Sequence, residues 1–265
     1  MLRGSSEFVS MFSQTGTKRI NQDALTVWED FIGQKEMTFC GVFDGHGPLG
    51  HKIAQRIRDK LPLKLSASIK QSQQKFSKHH DANVSNRGSD GEIYVEDHQN
   101  MSFASWEGMF TRCFKEMDEE LAKNIDTDGF RGGSTAVILI KQGDKLIIGN
   151  LGDSRAVLCR RAPDNNLIPV QLTVDLTPDS PTEALRIINC GGRIFAAVED
   201  PGLKRIWMPE QNTPGLAMSR AFGNFCLKAY GVTSVPDVSY RKLTREDEFV
   251  VLASDGANMG CANKQ

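Results

Sequence analysis

The sequence predicts mixed α/β layers built on antiparallel sheets. Runs rich in β-branched and aromatic residues alternate irregularly with segments of helical periodicity. Because strands and helices do not follow a strict βαβ order, antiparallel sheets are favoured over a doubly wound parallel sheet. With 265 residues and 39% hydrophobic content the chain can bury a sizeable core, and we interpret residues 1–265 as a single domain.

Three short segments in the first part of the chain are typical of β-strands. Residues 8–13 alternate large apolar with small side chains, and residues 24–28 and 38–43 are rich in β-formers. Turn residues separate them. We therefore expect successive strands before the first helix.

The helical period begins after residue 50. Ile53, Ile57 and Leu61 are four residues apart and share one helix face, and Pro62 predicts the end of that helix. Residues 66–105 are dominated by polar side chains and predict a mobile surface insertion. A second helix follows, with an apolar stripe at three- and four-residue steps formed by Trp106, Met109, Phe110, Cys113, Phe114, Met117 and Leu121.

Strands dominate the second half of the sequence. Residues 136–140 and 145–148 are separated by a Gly-Asp turn and predict an antiparallel meander that continues through 156–159. A helix is expected to begin at Ser180, whose hydroxyl would cap it, while Glu183 would reach back to the cap. The last predicted strand, 249–253, runs into an Asp-Gly turn.

Composition excludes several classes of function. Thirty-two basic and thirty-three acidic residues give a net charge of −1, so no overall field favours nucleic acid or an anionic membrane. No apolar run approaches the roughly 20 residues that span a bilayer. The six cysteines form no CxxC pair, which favours reduced thiols. We expect a soluble, monomeric protein of the cytoplasm or nucleus, without membrane insertion.

Carboxylates follow three predicted strands at glycine turns. They are Asp44, Asp153 and Asp255. A strand end holds a side chain rigidly, and oxygen ligands suit hard cations such as Mg²⁺ or Mn²⁺. The alternative interpretation is that Asp-Gly and Gly-Asp are ordinary turn dipeptides.

Six motifs in the same order carry a family resemblance. They are Lys18-Arg-Ile-Asn-Gln-Asp-Ala24, Phe43-Asp-Gly-His-Gly47, Gly133-Ser-Thr-Ala136, Gly152-Asp-Ser-Arg-Ala156, Leu216-Ala-Met-Ser-Arg-Ala-Phe-Gly223 and Ser254-Asp-Gly256. This set resembles the metal-dependent serine/threonine protein phosphatases of type 2C, nearest to the plant-type branch. The resemblance implies an α+β fold, a four-layer α-β-β-α sandwich of antiparallel sheets flanked by helices.

The resemblance also implies a centre with two Mg²⁺ or Mn²⁺ ions and a weaker third. Asp44 would bridge the two ions, the Gly45 carbonyl would bind one of them and Asp255 the other. Asp153 matches the third-metal position, and Asp23 matches the carboxylate of the first motif. The activity implied is hydrolysis of phosphoserine or phosphothreonine on protein substrates, with electrostatic stabilisation supplying most of the barrier reduction.

Two further residues receive roles from this resemblance. His46 is expected to protonate the leaving oxygen as a catalytic residue beside Asp44, the alternative being a structural histidine that orients Asp44. Lys18 stands where many members carry a phosphate-binding arginine and would attract the substrate phosphate as a point charge.

Some conspicuous residues are left outside the predicted site. Arg155, Arg186 and Arg220 lie in segments where a structural ion pair is the commoner explanation. Residues 195–214 take the place of the family's variable flap, where Trp207 would either contact a protein substrate or pack internally.

The sequence departs from the family at several positions. Gln22 replaces a metal-binding glutamate of many animal members, and Asn224 replaces the usual aspartate. After Gly256 the family's later metal-binding aspartate, helix and closing strand have no counterpart, so a truncated chain is expected. Two hypotheses follow, a phosphatase that retains activity and a weak or inactive homologue that acts as a binding or regulatory protein.

Overall fold

The computed structural model describes residues 8–16, 20–84, 101–124 and 131–257, with side chains of the first helix described to residue 74. The helices are α1 (Gly50–Val84), α2 (Phe103–Asn124), α3 (Pro181–Asn189) and α4 (Phe225–Lys228). The strands are β1 (Asp23–Trp28), β2 (Met37–His46), β3 (Gly133–Ser134), β4 (Ala136–Gln142), β5 (Lys145–Leu151), β6 (Arg155–Arg161), β7 (Leu167–Gln171), β8 (Arg193–Ala197), β9 (Asp200–Trp207), β10 (Phe222–Gly223), β11 (Asp237–Lys242) and β12 (Asp247–Ala253).

The strands form two antiparallel sheets and a hairpin. The larger sheet has the order β10-β3-β2-β4-β5-β11, with β1 added on β2. The smaller sheet has the order β12-β6-β7, and β8 pairs with β9 alone. The predicted antiparallel architecture is therefore confirmed. The predicted meander is correct for β4 and β5 only, because β6 pairs with β12 and β7 in the smaller sheet.

Strand β2 lies at the centre of the molecule because both of its faces are covered. Phe39 and Phe43 are fully buried against the two long helices, in the main core. Cys40 and Val42 point the other way and pack in a second cluster with Val250 of β12. This alternation follows the two-residue period of a strand. The layers therefore run from helices to larger sheet to smaller sheet, and β2 delivers its last residues to the edge of this sandwich.

Helix α1 corrects the prediction that Pro62 ends the helix. Pro62 lies inside α1, which continues to Val84. Proline forfeits one helix hydrogen bond, but Leu65 and Ile69 beyond it are fully buried and Ser68 Oγ lies 3.3 Å from Cys113 Sγ of α2. Packing on α2 therefore outweighs the local cost.

The expected insertion at 66–105 is also corrected at both of its ends. Residues 66–84 are helical, and α2 begins at Phe103 rather than near Trp106. Residues 85–100 lie outside the described residues, so mobility there stays a prediction. The apolar stripe of α2 is buried as the spacing predicts.

Two further local predictions are wrong. Residues 8–16 contain no helix or strand, although residues 8–13 have a strand-like alternation. Helix α3 begins at Pro181 as expected, but Ser180 makes no side-chain cap hydrogen bond. Glu183 does not reach back either, because its carboxylate is bound by two guanidinium groups.

Those guanidinium groups belong to Arg186 and Arg220, each of which donates to both oxygens of Glu183, with a shortest distance of 2.7 Å in each pair. Burial alone would raise the pKa of Glu183, but these two hydrogen-bonded arginines and Ser219 lower it to about 2. Arg155 pairs with Asp175 at 2.6 Å. The prediction that the three arginines serve structural ion pairs is confirmed.

Trp207 of the predicted flap packs internally. Its indole N–H donates a 2.9 Å hydrogen bond to the Phe195 carbonyl, and the two rings stack with centroids 4.9 Å apart. The side chain is buried, which supports packing over substrate contact as its role. Among the described helices, none combines the length and the apolar character required to cross a membrane.

Candidate metal centre

The register of β1 on β2 brings two predicted site residues together. Asp23 and Asp44 are direct cross-strand partners, so their side chains leave the same face of the sheet. Both residues sit where their strands reach the edge of the sandwich. The first motif and the Asp-Gly-His-Gly motif therefore contribute carboxylates to one place, although they are far apart in sequence.

A cleft of about 490 Å³ opens at this edge. Asp23, Asp44, Gly45 and Asp255 line it, with residues 12–16 forming part of the rim. Asp255 arrives from the turn after β12, so the cleft joins the larger sheet to the smaller one. The structure thus brings together four of the five predicted metal-binding residues.

The electrostatics of the cleft reveal an excess of negative charge. The pKa of Asp44 is raised to about 8 by burial, by a hydrogen bond with Asp255 and by the charges of Asp255, Asp23 and Asp153. Carboxylates this close cannot all be ionised unless a cation balances them.

Asp153 adjoins the cleft without lining it. Burial and the charge of Asp255 raise the pKa of Asp153 to about 6. Its Oδ1 is buried and has no hydrogen-bond partner among the described residues. A buried oxygen without a donor is a costly arrangement, and a cation would satisfy it.

These observations test whether hard cations fit the site. Within the described ranges, no three side chains of His, Cys, Asp or Glu already stand in a metal-binding group. The donors are nevertheless all oxygens, they are electrostatically coupled, and one lacks a partner. Such a set suits Mg²⁺ or Mn²⁺ and not zinc, which prefers nitrogen and sulfur. Divalent cations of this type therefore fit the residues present.

Thr135 supports Asp44 in a way that the sequence interpretation missed. The backbone N–H of Asp44 donates to Thr135 Oγ1 at 3.1 Å, and the backbone N–H of Thr135 donates to the Asp44 carbonyl at 2.9 Å. Thr135 Oγ1 also lies 2.7 Å from Ser154 Oγ, next to Asp153. One hydroxyl thus links the segments that carry two predicted metal ligands, Asp44 and Asp153. Its presence in the Gly133-Ser-Thr-Ala136 motif was the available signal.

The backbone packing around position 45 leaves no room for a side chain. A Cβ there would lie 2.5 Å from the Gln22 carbonyl and would overlap the Gly50 carbonyl. The Gly45 N–H donates to Gln22 O at 3.2 Å, and Gln22 Nε2 donates to the Gly47 carbonyl at 3.0 Å. Gln22, one of the departures from the family pattern, thus holds the turn that carries Gly45.

The two remaining predicted site residues differ in their outcome. His46 is half-buried at the end of β2, and its Nε2 lies 2.7 Å from Asn224 Oδ1. It does not line the cleft in the described part of the chain, and its catalytic role stays a prediction. Lys18 lies outside the described residues. Asn224, noted in the sequence only as a departure, was missed as a site neighbour.

The fold and this acidic cleft place the chain among phosphatase structures. It matches the crystal structure of the serine-threonine phosphatase 2C from Toxoplasma gondii with a TM-score of 0.77 and 25% sequence identity, over 93% of this chain and 77% of that one. The sequence model described as Protein phosphatase 2C matches residues 9–257. The chain belongs to the protein phosphatase 2C family.

Plant proteins are among its similar relatives. "Probable protein phosphatase 2C 65" of Arabidopsis thaliana is 50% identical over 254 residues, which is 96% of this chain and 63% of the relative. "Probable protein phosphatase 2C 14" of Oryza sativa subsp. japonica is 49% identical over 259 residues, which is 96% of this chain and 50% of the relative. The chain thus spans about half to two thirds of the length of these relatives.

Proposed function

We propose that this chain hydrolyses phosphoserine and phosphothreonine on protein substrates, using Mg²⁺ or Mn²⁺ held in the acidic cleft. The observation that carries the proposal is the set of neighbouring carboxylates, Asp23, Asp44, Asp153 and Asp255; burial, a hydrogen bond with Asp255 and the charges of the other three raise the pKa of Asp44 to about 8. Family membership supports the same class of reaction. The alternative of an inactive binding protein is not favoured by the comparisons.

Two cations are proposed. Asp44, the Gly45 carbonyl and Asp255 would hold them, with Asp23 beside Asp44 in the same cleft. Asp153 is proposed to hold a weaker third ion. When bound, such cations stabilise the negative charge on phosphoryl oxygens and favour deprotonation of the attacking water.

The net reaction breaks the bond between phosphorus and the serine or threonine oxygen and forms one to a water oxygen. The products are inorganic phosphate and the free hydroxyl group. One proton must reach the leaving oxygen, and His46 is proposed to supply it because its ring lies two residues beyond Asp44 on the same strand. Lys18 is proposed, from the family resemblance alone, to attract the incoming phosphate.

Charge balance explains why the residues need cations before they can accept a substrate. A phosphate monoester carries nearly two negative charges at neutral pH. The carboxylates of the empty cleft would repel it, whereas a cation-loaded cleft would attract it. Substrate binding is therefore expected to depend on divalent cations as strongly as turnover does.

A direct test uses a phosphothreonine peptide and release of inorganic phosphate as the readout. The purified chain is assayed with Mn²⁺, with Mg²⁺ and with a chelator. Asp59→Asn serves as a matched control, because Asp59 is an exposed aspartate on α1 with a 52% exposed side chain. The proposal expects metal-dependent turnover in the chain and in this control. Absence of turnover in a folded, cation-loaded sample would refute it.

A further inference from the structure

The side chain of His46 meets an amide instead of a carboxylate. Its Nε2 lies 2.7 Å from Oδ1 of Asn224, which sits between β10 and α4. Asn224 is 2% exposed, so the contact is shielded from solvent. A shielded hydrogen bond of this length constrains both partners strongly.

The orientation of the Asn224 amide follows from its second partner. Its Nδ2 lies 3.0 Å from the Arg131 backbone carbonyl, which can only accept a hydrogen bond. The amide nitrogen must therefore face Arg131, and the amide oxygen must face His46. Since that oxygen is also only an acceptor, the hydrogen in the contact has to be carried by His46 Nε2. The arrangement selects one tautomer of the neutral ring.

The backbone around Asn224 is held from two sides. The Asn224 N–H donates to the Gly132 carbonyl at 2.7 Å. The preceding Gly223 N–H donates to Asp118 Oδ1 of α2 at 2.8 Å, and the other Asp118 oxygen lies 2.7 Å from Lys228 Nζ. A mostly buried ion pair thus anchors the segment that presents the amide to His46.

Only a glycine fits at position 133, next to the hydrogen bond between His46 and Asn224. A Cβ on Gly133 would overlap Asn224 Oδ1 and would lie 2.7 Å from His46 Nε2. The glycine therefore packs against both atoms of the hydrogen bond. The same strand pairing places Gly133 opposite His46 in β2 and opposite Gly223 in β10. Three neighbouring strands enclose the contact.

We infer that Asn224 is a positioning residue that fixes the ring orientation and the Nε2–H tautomer of His46. The consequence for turnover rests on the proposed function: because Nε2–H is held by Asn224, the proton given to the leaving oxygen would come from Nδ1 of the protonated ring, which then returns to the neutral Nε2–H form. The consequence for the tautomer does not, because it follows from the hydrogen bonds alone.

The test uses two substitutions that respect the backbone. Asn224 has φ of 48° and ψ of 44°, a left-handed conformation that glycine, asparagine and aspartate adopt most readily. Asn224→Gly removes the acceptor without straining the chain, and Asn224→Asp keeps an acceptor oxygen. Histidine ring ¹⁵N spectra are recorded at a pH where the ring is neutral, and His46→Gln assigns the signal among the five histidines.

The inference expects a protonated Nε2 for His46 in the original chain and in Asn224→Asp. We expect a mixture of tautomers in Asn224→Gly. In the same variant kcat is expected to fall about tenfold or more, with little change in KM, and Asn224→Asp is expected to recover most of kcat. A purely structural role would lower melting temperature without changing the tautomer.

Two results would overturn the inference. One is a protonated Nδ1 with an unprotonated Nε2 in the original chain, and the other is an Asn224→Gly spectrum and kcat identical to the original. If the original chain shows the Nε2–H tautomer but no turnover, the proposed function fails while the positioning of His46 stands.

Discussion

Ser254 Oγ donates a 2.7 Å hydrogen bond to Asp23 Oδ2, joining residues 231 positions apart in the sequence. Ser254 follows β12 and precedes Asp255, whereas Asp23 opens β1 and faces Asp44. This bond therefore connects the smaller sheet to the larger one at the mouth of the acidic cleft. It also orients one carboxylate of the proposed metal centre.

Removing this hydroxyl tests that connection. We expect Ser254→Ala to weaken Mn²⁺ binding by about 10- to 100-fold, the usual cost of losing a partner that orients a metal ligand. Isothermal titration of the folded protein with Mn²⁺ measures the change. Ser180→Ala is the control, because Ser180 lies at the start of α3, away from the cleft. Equal affinities in both variants would show that the bond does not support the site.

Burial of Asp44, together with repulsion from the neighbouring carboxylates, predicts that Asp44→Asn stabilises the metal-free protein. The folded-state pKa of Asp44 is about 8, above its ordinary value of 3.8, so folding is favoured below about pH 4 and weakened as pH rises toward 8. Asparagine removes that penalty. We expect a gain on the order of 1 kcal/mol or more near pH 8, and little gain near pH 4.

Urea unfolding in the presence of a chelator measures this gain, with Asp59→Asn as the exposed control. A destabilised Asp44→Asn protein near pH 8 would contradict the electrostatic description of the cleft.

The pKa of the buried Glu183 carboxylate is shifted in the opposite direction to that of Asp44. Its folded-state pKa of about 2 lies below the ordinary 4.5, because two arginines and Ser219 outweigh burial. Its contribution to stability is therefore present above about pH 4.5 and is lost as pH falls toward 2. We expect Glu183→Gln to cost about 3 kcal/mol at neutral pH and much less near pH 2.

Chemical denaturation at both pH values checks the Glu183 prediction. Glu116→Gln is the control, since its side chain is 50% exposed. A loss for Glu183→Gln that does not depend on pH would indicate a packing defect in place of the ion-pair network.

The continuation of α1 beyond Pro62 is tested by two leucines on either side of the helix. Leu65 is fully buried, whereas Leu63 is 52% exposed. Leu65→Ala is expected to cost about 2–5 kcal/mol, the range for a buried leucine, and Leu63→Ala less than about 0.5 kcal/mol. Similar free energies of unfolding for the two variants would argue that the helix does not pack there.

Local sequence patterns were sufficient to predict most of the strands and helices of the sandwich. The β-rich runs at 24–28 and 38–43 became β1 and β2, and the apolar stripe of α2 is buried as its spacing indicates. These predictions succeeded because each segment buries one defined face, which the period of its side chains reveals. The strand-end aspartates converged for the same reason, since rigid strands carry their ends to one edge.

The failures depend on distant partners that no local pattern displays. Pro62 is tolerated because α2 packs on the helix beyond it. Glu183 does not contribute to the helix cap because its carboxylate binds Arg220, which is 37 residues away in the sequence. The pairing of Asn224 with His46 spans 178 residues. A side chain's partner across such distances is decided by tertiary packing, so sequence period and capping rules did not indicate it.

The central claim is metal-dependent phosphatase activity at the carboxylates around Asp44, and one comparison tests it most directly. Release of phosphate from a phosphothreonine peptide is measured for the original chain and for Asp44→Asn, each with Mn²⁺ and with a chelator. We predict turnover only for the original chain with Mn²⁺, and a loss of at least about 100-fold in Asp44→Asn. Equal turnover by the two proteins, or turnover that persists in the chelator, would contradict the account.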